Sequence, residues 1–289
     1  MLKKLLKYEW KDTRKLLLPI HFAIVLITII GCFILNTSIF DSEMGFLLAA
    51  PLLVLYILAI ITFSCVTLVY LYIRFYKNLY TAEGYLMHTL PVTHTQLFHS
   101  KLIMGYFWFF LNSLLTTIST TALGASLGFH EAFKEMSGES SGSFIDDFFL
   151  SMGQTPDTFS FADVFGFTLP MFVFSLFIMI LVCSFSSVLM GYVSVLLGQR
   201  MERNKLAATV GFYFGIYMVI QILTSLAVVI PELLLMNKYL DEPMNFSTQY
   251  IMADSFQTLF PAMIISYLLM DIIFYIICRI LVKRQVNLD

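Results

Sequence analysis

The sequence predicts an all-α integral membrane protein with six transmembrane helices, and three observations carry that prediction. The 289 residues are 59% apolar and only 12% charged, with a mean hydropathy of +0.84, whereas soluble domains are typically about 45–50% apolar and about 25% charged. The apolar residues fall in six long blocks. Finally, Lys and Arg collect on alternate connections between those blocks, as expected of a chain that crosses a bilayer repeatedly.

A span needs about 20 mostly apolar residues. Six stretches qualify, at about 16–35, 45–73, 102–127, 164–197, 206–235 and 259–282. Pro51, Pro170, Pro231 and Pro261 lie near one end of their blocks, where the carbonyl that proline frees reaches water more easily than at mid-bilayer. Cys32, Cys65, Cys183 and Cys278 all sit inside apolar blocks, which fits small buried hydrophobes rather than a disulfide framework. Ile29-Ile30-Gly31-Cys32 loosely matches a lipoprotein cleavage box behind a Lys-rich start. The expectation is nonetheless that the N-terminus is retained.

Basic residues set the orientation. The N-terminal segment, the connection after span two, the connection after span four and the C-terminal tail hold fifteen of the seventeen Lys and Arg residues, leaving Lys134 and Lys238 on the other side. Thirteen of the nineteen acidic residues lie on that Lys-poor side. Both termini are therefore expected in the cytoplasm. The two longer external segments would be 128–163 and 236–258. Phe144, Phe148, Phe149, Phe159 and Phe161 among acids in the first fit either short helices lying on the membrane or a disordered tether.

Residues 1–15 are too charged to span. Leu2, Leu5, Leu6 and Trp10, with Leu17 beyond them, recur at helical spacing while Lys3, Lys4, Lys7 and Lys11 fall largely elsewhere, the pattern of an amphipathic helix at the inner interface. The connection 74–101 is longer and more varied than a passive link requires. Tyr85 to Leu90 forms a short helical pattern behind Glu83-Gly84, Pro91 stops it, and Thr93 or Thr95 is placed to cap the helix entering span three.

With six spans, a basic amphipathic N-terminal helix, and a first cytoplasmic loop reading Glu83-Gly84, Leu90-Pro91-Val92-Thr93 and Ser100-Lys101, the chain resembles the membrane subunit of a type-2 ABC exporter. The resemblance covers the whole chain in layout and this loop in motif. It implies a coupling helix at about Tyr85 to Leu90, with Glu83, Gly84, Tyr85, Leu86, Leu90 and Pro91 forming the contact with a cytoplasmic ATPase. It also implies two copies of the chain with two ATPase subunits. ATP and Mg would be bound by the partner, because no Gly-x-x-x-x-Gly-Lys-Ser/Thr phosphate loop occurs in this chain. Small bacterial permeases of this layout are associated with export of, or immunity to, amphipathic and toxin peptides, including phenol-soluble modulins, which would place this chain in a bacterial plasma membrane.

Within the spans, Asp271 is the carboxylate nearest mid-bilayer, open to a role in a substrate pathway, in an interhelix hydrogen bond, or as the site of an ion-coupled carrier. Asn112, Thr116 and Thr120 form a stripe in span three expected to glue helices together. Gly211 and Gly215 have the spacing of a close helix–helix contact, here a dimer contact. Phe214, Tyr217 and Gln221 share a face with them, and Tyr56, Phe63 and Tyr70 recur at seven-residue spacing in span two. In the resembled family spans two and five line the substrate route, so these aromatics are the expected pathway walls. Membrane lipid and a peptide or other hydrophobic substrate are the remaining expected partners.

Enzyme readings find no support. His130-Glu131 begins a His-Glu-x-x-His pattern, but position 134 is Lys, so no zinc or other metal site is expected. No catalytic or cofactor-binding set emerges, and the basic clusters read as topology signals rather than a nucleic-acid surface. A non-transporting assembly or sensor protein, docking a regulator through the same loop, is the alternative of a different class.

Overall fold

The computed structural model describes residues 2–35, 43–81, 92–137, 162, 165–202, 204–240 and 248–284. Among them all regular structure is helical. The six helices are α1 (Leu2–Leu35), α2 (Glu43–Tyr80), α3 (His94–Ser137), α4 (Leu169–Gly198), α5 (Lys205–Leu240) and α6 (Thr248–Arg284). Each contains a stretch long and apolar enough to cross a bilayer, so the chain is a multi-pass membrane protein.

At about 1.5 Å per residue, helices of 30 to 44 residues run about 45–66 Å, well beyond a hydrocarbon core of about 30 Å. The excess has a visible origin in α1. Its outward face changes from exposed Lys4, Tyr8, Lys11 and Lys15 to exposed Leu18 and Phe22, so the charged turns extend past the apolar ones. The expected N-terminal helix and span one are one unbroken helix that continues through Pro19. Of the long connections, 138–161 and 241–247 lie outside the described residues.

α1 packs chiefly on α3, and α4 on α5 and α6. α4 also contacts α2 and α3, which joins the two groups. The second half of α4 is the centre of the molecule: positions 188 to 196 are buried without interruption. Leu17, Leu71, Phe75, Phe98, Trp108 and Cys278 close around it. This core lies toward the end of the bundle that carries most of the Lys and Arg, called here the basic end.

Tyrosine hydroxyls and glycines make the seam between α4 and the first three helices. Tyr72 donates to the Ser187 carbonyl at 2.7 Å, and Tyr192 donates to the Lys101 carbonyl at 3.2 Å. The Tyr192 ring stacks on Phe75 with centroids 3.9 Å apart. Gly191 faces the Tyr72 ring and Gly105 faces the Tyr192 hydroxyl, each so closely that a Cβ would collide with its neighbour. Missing side chains, rather than backbone freedom, allow these helices to meet.

Gly191→Ala should therefore destabilise the fold by about 1–3 kcal/mol through overpacking, read as a lower thermal unfolding midpoint of the purified protein. Gly211→Ala, at a position with nothing within 4 Å of the added Cβ, should leave the monomer's fold unchanged.

Candidate functional site

The densest polar assembly joins the basic ends of α1, α2 and α3. Glu9, Thr13, Leu17, His21 and Ile24 are buried along one face of α1, as spacings of four and three residues require on a helix. Glu9 sits where that face meets both neighbours. Its Oε2 accepts from Arg74 Nε at 3.1 Å and Nη2 at 2.8 Å, and its Oε1 pairs with Lys101 Nζ. Each carboxylate oxygen thus holds a cation from a different helix. Arg74 also donates to Asp12 at 2.6 Å and to the Tyr70 hydroxyl at 3.5 Å.

Glu9 and Lys101 are only 6% and 3% exposed, so neither is solvated as a surface ion would be. Removing an ion from water costs several kcal/mol, which partner charges must offset; here two cations face two carboxylates. An aromatic layer closes the assembly on the apolar side. Trp108 donates to Thr13 Oγ1 at 2.8 Å, stacks on Trp10 at 4.9 Å and lies 5.5 Å from the His21 ring. The Thr13 hydroxyl in turn donates to the Glu9 carbonyl at 2.7 Å.

α2 and α3 are the helices on either side of the 74–101 connection. The expected ATPase-contact residues Glu83, Gly84, Tyr85, Leu86, Leu90 and Pro91 lie outside the described residues. The re-entry point is defined: the Thr93 N–H donates to Gln96 Oε1 at 3.4 Å and the Gln96 N–H to Thr93 Oγ1 at 3.3 Å. This is a capping box, so Thr93 rather than Thr95 caps α3. Phe75 meets Phe98 edge-on at 6.4 Å, holding the two helices together beside the loop.

The seven expected pathway residues do not gather around one cavity. Tyr56 is buried, with its hydroxyl 2.5 Å from Ser119 Oγ, which also pairs with Thr28. That node links α1, α2 and α3 and is a packing contact in this chain. Phe63 is half-buried, and Tyr70 belongs to the ionic assembly through Arg74. Phe214, Tyr217 and Gln221 instead lie on the exposed face of α5, and Gly211 and Gly215 open onto the same outer surface.

Asp271 is 5% exposed, and its Oδ1 has no hydrogen-bond partner among the described residues. Around it stand Ser186 and Cys183 of α4 and Tyr106 of α3. The Ser186 hydroxyl is also buried and faces the Asp271 carboxyl.

In the span-three stripe, Asn112 donates across to Ser64 Oγ at 3.0 Å, while Thr116 and Thr120 bond back to their own helix. Only Asn112 is interhelix glue. Among the described residues no group of three or more His, Cys, Asp or Glu side chains is placed to hold a metal, and all four cysteines are free thiols. No family model, curated protein or solved structure matches the chain.

Glu9→Gln and Lys101→Met should each destabilise the protein by about 3–5 kcal/mol, because each removes one side of a buried ion pair. The double variant should be less destabilised than the sum of the two, which a thermodynamic cycle on purified protein measures. Asp12, whose side chain is 61% exposed, should tolerate replacement by Asn at a cost of about 0–1 kcal/mol.

Proposed function

We propose that this chain is the permease subunit of an ATP-driven exporter of the type-2 ABC class. It works as a homodimer with two copies of a separate cytoplasmic ATPase, which holds the ATP and Mg. The basic end faces the cytoplasm of a bacterial plasma membrane, with both termini on that side. The substrate is an amphipathic peptide or a similarly hydrophobic compound.

The observation that carries this reading is the Glu9 assembly. One carboxylate ties α1 to Arg74 and Lys101, the residues that bracket the loop bearing Glu83-Gly84 and Leu90-Pro91. A push delivered to that loop would reach three membrane helices together, because the ions and the aromatic layer join them. Rigid-body movement of packed elements is a standard way to convert a local event into a larger rearrangement. The exposed α5 face supports the dimer. Gly211 and Gly215 offer close approach, and Gln221 is an exposed amide on an apolar helix, to which the corresponding face of a second copy would supply a polar contact.

Buried and incompletely hydrogen-bonded Asp271 favours a second reading, an ion-coupled carrier using that carboxylate. The two readings part on substitution. If ATP drives transport, a Walker-containing ATPase co-purifies with the chain from native membranes, and Glu83→Lys lowers its recovery by about tenfold or more. If no ATPase is recovered and Asp271→Asn abolishes transport, the carrier reading replaces the exporter. A non-ATPase partner held through the loop, without transport, would instead identify an assembly or sensor protein.

A further inference from the structure

The outward face of α1 is one line of residues three and four apart: Tyr8, Lys11 and Lys15, then Leu18, Phe22 and Val25. All six are exposed, Tyr8 at 71% and Phe22 at 67%, and their spacing keeps them on one side of the helix. Lys15 stands about 6 Å beyond Lys11, and Leu18 follows about 4.5 Å further on. The neighbouring helix α2 makes the same change at nearly the same depth. Val66, Val69 and Ile73 are exposed hydrophobics, and Arg74 comes next. Arg74 meets α1 at Glu9 and Asp12, so the two helices pass from apolar to charged side by side. That level is where the membrane interface falls at the basic end.

A groove of about 300 Å³ lies between the two helices there, lined by Tyr8, Glu9, Lys11, Asp12, Lys15 and Arg74. Its charges are unequal. Arg74 pairs with Glu9 and Asp12, and Lys101 pairs with Glu9 from behind, so two carboxylates and two cations cancel. Lys11 and Lys15 are in surplus, both exposed and neither ion-paired among the described residues. What completes the groove brings negative charge to these two lysines and hydrocarbon to Leu18 and Phe22 on the same face. A soluble anion meets only the first requirement, and a lipid without net charge only the second.

We infer that this groove is a binding site for an anionic phospholipid, its phosphate on Lys11 and Lys15 and an acyl chain along Leu18 and Phe22 toward Val25. Basic residues beside an anionic headgroup layer each add to the attraction. Tyr8 contributes an aromatic ring of the kind that gathers at headgroup depth. The site goes beyond the exporter reading, since it concerns lipid binding and needs neither an ATPase nor transport.

The test uses the full-length chain in phosphatidylcholine nanodiscs that contain a small fraction of phosphatidylglycerol with a diazirine on one acyl chain. Crosslinked peptides are mapped by mass spectrometry. Label is expected on α1 within residues 18–29, in excess over the exposed face of α5. It should fall by about tenfold or more in the double variant Lys11→Gln, Lys15→Gln. Arg279→Gln with Lys283→Gln removes the same charge from exposed positions at the basic end of α6 and should leave the label unchanged. Phosphatidylcholine carrying the same diazirine should label residues 18–29 of the wild type no better than α5, a comparison that needs no variant. Millimolar glycerol phosphate should not compete. Label that survives loss of both lysines, or that falls equally in the α6 variant, overturns the site in favour of diffuse attraction to the basic end. Equal enrichment by the phosphatidylcholine probe overturns it as well. Displacement by glycerol phosphate would make the ligand a free phosphate and overturn the lipid assignment.

Discussion

The structure turns on the charge of Glu9. A carboxylate this deeply placed carries a desolvation cost that partner charges must offset, and Arg74 and Lys101 supply those charges from two separate helices. Sliding α1 by one residue along its neighbours would break the Arg74 contacts and bury the charge unpaired. Hydrophobic packing alone specifies register weakly between membrane helices, because lipid tails and leucine side chains are equally apolar. Ion pairing supplies the missing specificity, and the Trp10, Trp108, Thr13 and His21 layer follows from the register it imposes.

From that joint the fold extends to α4. Tyr192 lies over Gly105 on α3 and donates to the Lys101 carbonyl, so the residue that neutralises Glu9 through its side chain anchors α4 through its backbone. Tyr72 makes the matching contact from α2, over Gly191. Two tyrosines set against two glycines thus pass the register of the first three helices to the last three. Each hydroxyl finds a carbonyl, as buried phenols generally must.

The spans are legible in the sequence because a bilayer demands about 20 apolar residues at a time, and each predicted stretch overlaps a helix. What each helix faces is not legible. Tyr56 and Tyr217 look alike in sequence, yet one is buried against Ser119 and the other is exposed on α5. Core and lipid are both apolar, so hydrophobic periodicity carries little information about which side is which; the nearly uniform apolarity of α4 is the extreme case. Gly211 and Gly215 match the spacing of a contact motif but open outward, whereas Gly105 and Gly191, in no such motif, make the close approaches. Glu9 was hidden by its surroundings, because an acid among lysines reads as a solvated residue, as the exposed Asp12 is. Its signal was periodic: Glu9, Thr13, Leu17 and His21 recur every four residues and mark one helical face.

The Trp10–Trp108 stack has a practical consequence. These are the only two tryptophans among the 289 residues, and they touch each other beside Glu9. Intrinsic indole emission from the whole protein therefore originates at a single joint. Any event that loosens α1 from α3, whether a partner docking at the loop or a change in bilayer composition, will alter an optical signal that the molecule carries without a label.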